Sequence, residues 1–209
     1  MNLFSEILSH DSLFSSEALD RIVCHLKGLE YEFVNVFTDC GPHFRSKEFI
    51  YNAKSISDKY DLNVSVNFFG EHHGKSEING MFGKLSVVFK AVDYSYEINN
   101  VYELKEAFEK EFRLRAWNDV FFEVYERESR PRFIKKMKFN GLKKVMSFLF
   151  IKGSCYLTKI DEDYKEFEPK VESKEDKRET SYTPKTCFSS RIKRFFNDII
   201  HRILKARVG

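Results

Sequence analysis

Two periods of apolar residues alternate along the chain. In "EALDRIVCHLKGLEY" the residues Ala18, Leu19, Ile22, Val23 and Leu26 recur at helical spacing, with Ser15 and Ser16 ahead as a start signal and Gly28 as a stop. The run Phe33 to Phe37, "FVNVF", reads as a buried strand. Ser46 then caps "KEFIYNAKSISDKY", whose Phe49, Ile50, Ala53 and Ile56 make a second helical stripe, and "LNVSVNFF" alternates as a second strand. A mostly apolar helix from about Ser76 to Val92 follows despite the strand-like "LSVVF", and "VYELKEAFEKEFRL" is a further helix. Past Trp117 the pattern changes. "VFFEVYE" and "VMSFLFIKGSCYLTKI" are rich in β-branched and aromatic residues, with Gly153-Ser154 as a hairpin turn, which predicts a small β subdomain.

These elements predict an α/β body over residues 1–118, the β subdomain over 119–160, a charged flexible linker over 161–188 and a basic amphipathic helix over 189–209. The linker reading comes from Asp161 to Thr180, which holds nine acids, five bases and few apolar residues. In the tail, Ile192, Phe195, Phe196, Ile199, Ile200, Ile203 and Leu204 share one helical face, ringed by Arg191, Lys193, Arg194, Arg202, Lys205 and Arg207.

Composition narrows this little. With 209 residues, 42% hydrophobic and 16% aromatic, the chain can bury one core plus a small appended unit, which excludes disorder throughout. The net charge of +3 is uninformative, but its distribution is not: residues 130–152 contain Arg130, Arg132, Lys135, Lys136, Lys138, Lys143, Lys144 and Lys152 and no acid. Cys24, Cys40, Cys155 and Cys187 lie far apart, which suits reduced thiols. No secretory signal or membrane span is legible, so a cytoplasmic or nuclear location is expected.

The candidate chemistry lies in two stretches separated by one helix. "TDCGPHF" at 38–44 puts a carboxylate, Asp39, at the mouth of a strand, the position from which metal-dependent phosphoryl transfer works, although a plain turn-capping aspartate has the same sequence signature. "NFFGEHHGKSEINGMFG" at 67–83 is the second. Together with "SHDSLF" and "FNGLKKVMSFLF", they resemble the RNase H-like catalytic domain of eukaryotic DDE-type cut-and-paste DNA transposases, over about residues 9–155. The resemblance implies a truncated, mixed RNase H-like sheet with helices. It also implies three carboxylates holding two divalent ions, with Asp39 as the second. Only about fifteen residues precede the first predicted helix, too few for the strands that carry the first carboxylate. At the third position stands Asn79, a neutral and weaker ligand. The expectation is therefore a degenerate relative that is no enzyme, with no cofactor beyond a vestigial Mg²⁺ and with His43, Arg45, His72, His73 and Lys75 left as motif-loop residues. Zinc on Cys40, His43, His72 and His73 is disfavoured, because adjacent histidines rarely reach one ion. Lys75 lacks P-loop spacing.

The leading functional reading is a noncatalytic nucleic-acid-binding protein derived from a transposase fragment. The basic segment and tail would contact phosphates, and Phe133, Phe139 and Phe148 would be available to stack. DNA, structured RNA and the ribosome stay open as targets. A ribosome-associated factor that silences translation is the runner-up. A residual Mg²⁺-dependent nuclease, or a transposase subunit completed by another chain, is the alternative of a different class. No membrane partner is expected, although the tail helix would also suit a protein partner.

Overall fold

The structure, a computed structural model, describes residues 2–4, 11–68, 77–117, 120–126, 132–138, 140–151, 153–159 and 162–176. In chain order they form β1 (Asn2–Phe4), α1 (Ser12–Gly28), β2 (Phe33–Thr38), α2 (Lys47–Tyr60), β3 (Asn63–Phe68), α3 (Glu77–Ser95), α4 (Val101–Leu114), β4 (Phe122–Val124), β5 (Arg132–Lys138), β6 (Val145–Ile151), β7 (Ser154–Lys159), β8 (Lys165–Glu166) and β9 (Lys170–Asp176). The fold is α/β with a mixed sheet. The elements divide into two compact units, each with its own core: α1, β2, α2, β3 and β5 to β9 form one, and β1, α3, α4 and β4 the other.

In the first unit the sheet order is β2-β3-β6-β7-β8. β2 and β3 run parallel, with Val34 opposite Val64 and Val36 opposite Val66, and α2 makes the crossover between them. β6 lies antiparallel to β3, pairing Val66 with Phe148 and Val64 with Phe150, and β7 and β8 continue antiparallel. Gly153, at φ +84°, turns β6 into β7, a backbone conformation that glycine adopts without a Cβ penalty. Val34, Val64, Val66, Phe148 and Phe150 share one core with Leu19 and Val23 of α1 and Phe49, Ile50, Ala53 and Ile56 of α2. Each of these side chains larger than Ala53 contributes about 1.5–3 kcal/mol of transfer free energy.

α2 begins where its sequence says, with Ser46 accepting from Phe49 N at 3.0 Å. α1 does not. Ser15 and Ser16 lie inside it, and the cap is Asp11, which accepts from Phe14 N at 3.0 Å. Both serines are buried: Ser15 Oγ donates back to Asp11 O and Ser16 Oγ to Ser12 O, while Asn52 Nδ2 of α2 donates to Ser16 Oγ at 2.9 Å. Small hydroxyl residues here let two helices approach and share a hydrogen bond, and that tertiary role looks like a cap in one dimension.

In the second unit, Val88, Phe89 and Val92 of α3 pack on Leu104, Ala107, Phe108 and Phe112 of α4 and on Phe122 of β4. β1 runs parallel to β4, and Phe4 stacks on Phe122 with ring centroids 5.6 Å apart. Asn100 caps α4 by accepting from Tyr102 N and Glu103 N, both at 2.9 Å. On α4 the buried Glu111 accepts from the Arg115 guanidinium and from Tyr96 Oη, and Arg115 above all holds its carboxyl below the usual range.

The expected segment boundaries at 118/119 and 160/161 are not those of the molecule. A strand, β1, does precede the first helix, but it pairs with β4 and adds nothing to the five-stranded sheet. The strands predicted as a separate β subdomain are split, with β4 in one unit and β6 and β7 completing the sheet beside β3 in the other. The physical reason is β3's second edge, whose backbone groups need a partner that only a strand beyond α4 supplies. Nor is the described part of the expected linker unstructured. Its residues 162–176 carry β8 and β9. The predicted tail helix, with Arg191, Lys193, Arg194, Arg202, Lys205 and Arg207, lies outside the described residues. Among the described residues, no helix is long and apolar enough to cross a membrane.

Candidate nucleic-acid interface

The loop after β2 shows what Asp39 does. Its Oδ1 accepts the Gly41 N–H at 2.8 Å, closing a turn, and Gly41 O in turn accepts from Phe44 N and Arg45 N at 3.1 and 2.8 Å. Glycine leaves room for both side chains at the centre. A Cβ on Gly41 would fall 2.7 Å from His43 Cε1 and 2.8 Å from Asp39 Oδ1. Asp39 is exposed, and this hydrogen bond makes it the cap of the turn. His43 is half-buried against Phe44, with ring centroids 4.3 Å apart.

Arg45 is an anchor. Its guanidinium lies 4.8 Å from the centre of the Phe68 ring, with Nη2 donating to Val145 O at 2.9 Å and Nη1 to Lys143 O at 3.2 Å. The planar fork suits this double task, which an ammonium could not perform. It fastens the 3₁₀ turn Leu142–Lys144 beside the β2–α2 loop, at the carboxyl end of the parallel strands, and leaves Lys143 and Lys144 exposed there.

The second basic element is a two-stranded antiparallel ribbon, β5 with β9. Its register sets Arg132 opposite Asp176, Ile134 opposite Lys174, Lys136 opposite Glu172 and Lys138 opposite Lys170, so these eight positions share one face. Lys135, Lys138, Lys170 and Lys174 are exposed and Lys136 is half-buried. Among the described residues, none of these five lysines nor Lys143 or Lys144 has a carboxylate within 4 Å. Lys138 faces Lys170 directly, a like-charge pairing that costs stability unless an anion lies across it.

The structure thus brings Arg45, Lys143 and Lys144 together and puts Lys135, Lys136 and Lys138 on the ribbon. Arg132 and Asn79 are described only in their backbones, in β5 and α3, while His72, His73, Lys75, Arg130 and Lys152 lie outside the described residues. Of the candidate stacking rings, Phe148 is a fully buried core residue. Lys170 and Lys174 fall outside the sequence expectation, because the acid count of 161–180 marks a linker. The alternation of charged Lys170, Glu172 and Lys174 with Val171 and Ser173 is the strand signal that was present. Among the described residues, no three His, Cys, Asp or Glu side chains are grouped to hold a metal ion.

Residues 1–157 match the model of a domain of unknown function, DUF8701. No curated protein and no solved structure matches the chain.

Proposed function

The chain belongs to the DUF8701 family, and from that premise we propose that it binds nucleic acid, DNA or structured RNA, without cutting it. One observation carries the proposal: seven lysines on two elements of one unit, the 3₁₀ turn and the β5–β9 ribbon, none with a carboxylate partner among the described residues. Cations placed so contact phosphates and release condensed counterions. Supporting a noncatalytic role is the Asp39 carboxylate, which is engaged in closing its own turn. Descent from a transposase-type RNase H-like fragment belongs to the same proposal. It is favoured by the parallel β2–α2–β3 order with Asp39 just past β2.

The test is affinity for a labelled oligonucleotide against salt. Charge reversal at Lys135, Lys136, Lys143 and Lys144 should lower the log–log slope by up to about three, since each contact contributes roughly 0.7–0.9. Binding that ignores salt, or no binding, overturns the proposal. Nicking of duplex with Mn²⁺ that vanishes in Asp39→Ala would overturn its noncatalytic part.

A further inference from the structure

The sheet's second face, away from α1 and α2, carries a row that none of the lysine chemistry uses. Among the described residues β2 is an edge strand, and the alternation that sends Val34 and Val36 to the core puts Phe33, Asn35 and Phe37 on the other side. All three are exposed, the rings by 42% and 54%. At about 3.3 Å per residue the two rings lie roughly 13 Å apart, with Asn35 midway.

Asn35 is held in one orientation by a directional chain of hydrogen bonds across the sheet. Tyr164 Oη donates to Ser147 Oγ at 2.9 Å, Ser147 Oγ to Asn67 Oδ1 at 2.7 Å, Asn67 Nδ2 to Ser65 Oγ at 2.9 Å, and Ser65 Oγ to Asn35 Oδ1 at 2.6 Å. With its oxygen engaged, Asn35 presents Nδ2, which has no hydrogen bond among the described residues, as a donor between two rings. Charge is complementary at one end. Phe37, Asn67 and Ser147 form one cross-strand row, and the chain leading into Ser147 comes from the exposed Lys143 and Lys144.

We propose that this face takes an unpaired nucleic-acid strand, with bases stacked on Phe33 and Phe37, a base-edge acceptor on the Asn35 amide and phosphates toward Lys143 and Lys144. The inference rests on the nucleic-acid reading above and narrows its ligand to single strands. In a duplex the base faces are already stacked on one another, whereas in a single strand they are free for side-chain rings.

The experiment measures anisotropy of fluorescein-labelled single-stranded RNA, single-stranded DNA and a duplex of the same sequence, using the full chain. The single strands should bind at least tenfold tighter than the duplex. Phe33→Leu with Phe37→Leu should remove that preference and weaken single-strand binding by about tenfold or more per ring lost, with an unchanged salt slope. Asn35→Asp, which puts an acceptor where the donor was, should weaken it too. Photo-cross-linking of a 5-iodouracil oligonucleotide to the unmodified protein covers the case of a variant that fails to fold, and adducts should map to Phe33 or Phe37. Equal affinity for duplex and single strand, or adducts elsewhere, overturns the inference and leaves the nucleic-acid reading standing. Loss of all oligonucleotide binding removes both. Wild-type self-association that the double variant abolishes, without loss of single-strand affinity, would assign the face to a second copy of the chain and overturn it as well.

Discussion

At Gly41 the missing Cβ leaves room for the His43 ring and the Asp39 carboxylate in the β2–α2 loop. Gly41→Ala would force either His43 or the Asp39 carboxylate aside, and we expect a loss of about 1–2 kcal/mol, from the turn bond and the strained neighbour together. Arg45→Ala removes two hydrogen bonds and a stacked plane that fasten residues almost a hundred positions apart. A loss of about 2 kcal/mol is expected, or a fall in Tm of roughly 4–8 °C for a chain of this size. Arg45→Lys should recover little of it, because one ammonium cannot hold both carbonyls and lie on Phe68. Thermal melts of the three variants check this. Cysteine reactivity divides in the same local way: burial pushes the Cys155 thiol up, whereas Cys24 is exposed. Alkylation at pH 8 should label Cys24 in the folded protein and Cys155 only after unfolding.

Elements carry effects that no single residue predicts. Across the β5–β9 ribbon, Lys138 and Lys170 oppose each other, so Lys170→Glu should raise stability by about 0.5 kcal/mol and lower the salt slope of binding by about one or more. Opposite signs in the two measurements would mark a residue retained for its ligand at some cost to the fold. In α4, Glu111 has a carboxyl pKa lowered mainly by Arg115. A lowered folded pKa binds the proton less readily than the unfolded chain does. The stabilisation is therefore complete above the ordinary value of 4.5 and drains away as pH falls through the lowered one. The melting temperature should drop below about pH 4.5, and Glu111→Gln should flatten that drop while lowering stability at neutral pH.

At the scale of the molecule, the chain is not divisible where its composition changes. A fragment of residues 1–118 retains β2 and β3 but lacks Phe148, Phe150 and Met137 from the core and leaves β3 without β6. It should bind 8-anilinonaphthalene sulfonate and give a collapsed, poorly dispersed amide spectrum. A well-folded fragment would contradict the discontinuous unit. Truncation after residue 160 should cost stability as well, because β5 loses its only paired neighbour among the described residues.

The sequence by itself determined the local events. Ser46 and the Phe49, Ile50, Ala53 and Ile56 stripe made α2, alternation made β3, Gly153 turned β6 into β7, and "TDCG" contained the turn that engages Asp39. Periodicity, caps and turns are short-range properties of neighbouring residues, so they are written where they act. Tertiary structure alone decided which strand lies beside β3, why Ser15 and Ser16 sit within α1 rather than ahead of it, and that an acid-rich stretch lies alongside a basic one as β9 on β5. It also decided that Arg45 spends its charge on backbone carbonyls while Lys170 keeps its own exposed. Those outcomes depend on which unpaired strand edge and which desolvated side chain find partners across a hundred residues of chain, and one-dimensional patterns do not contain that information.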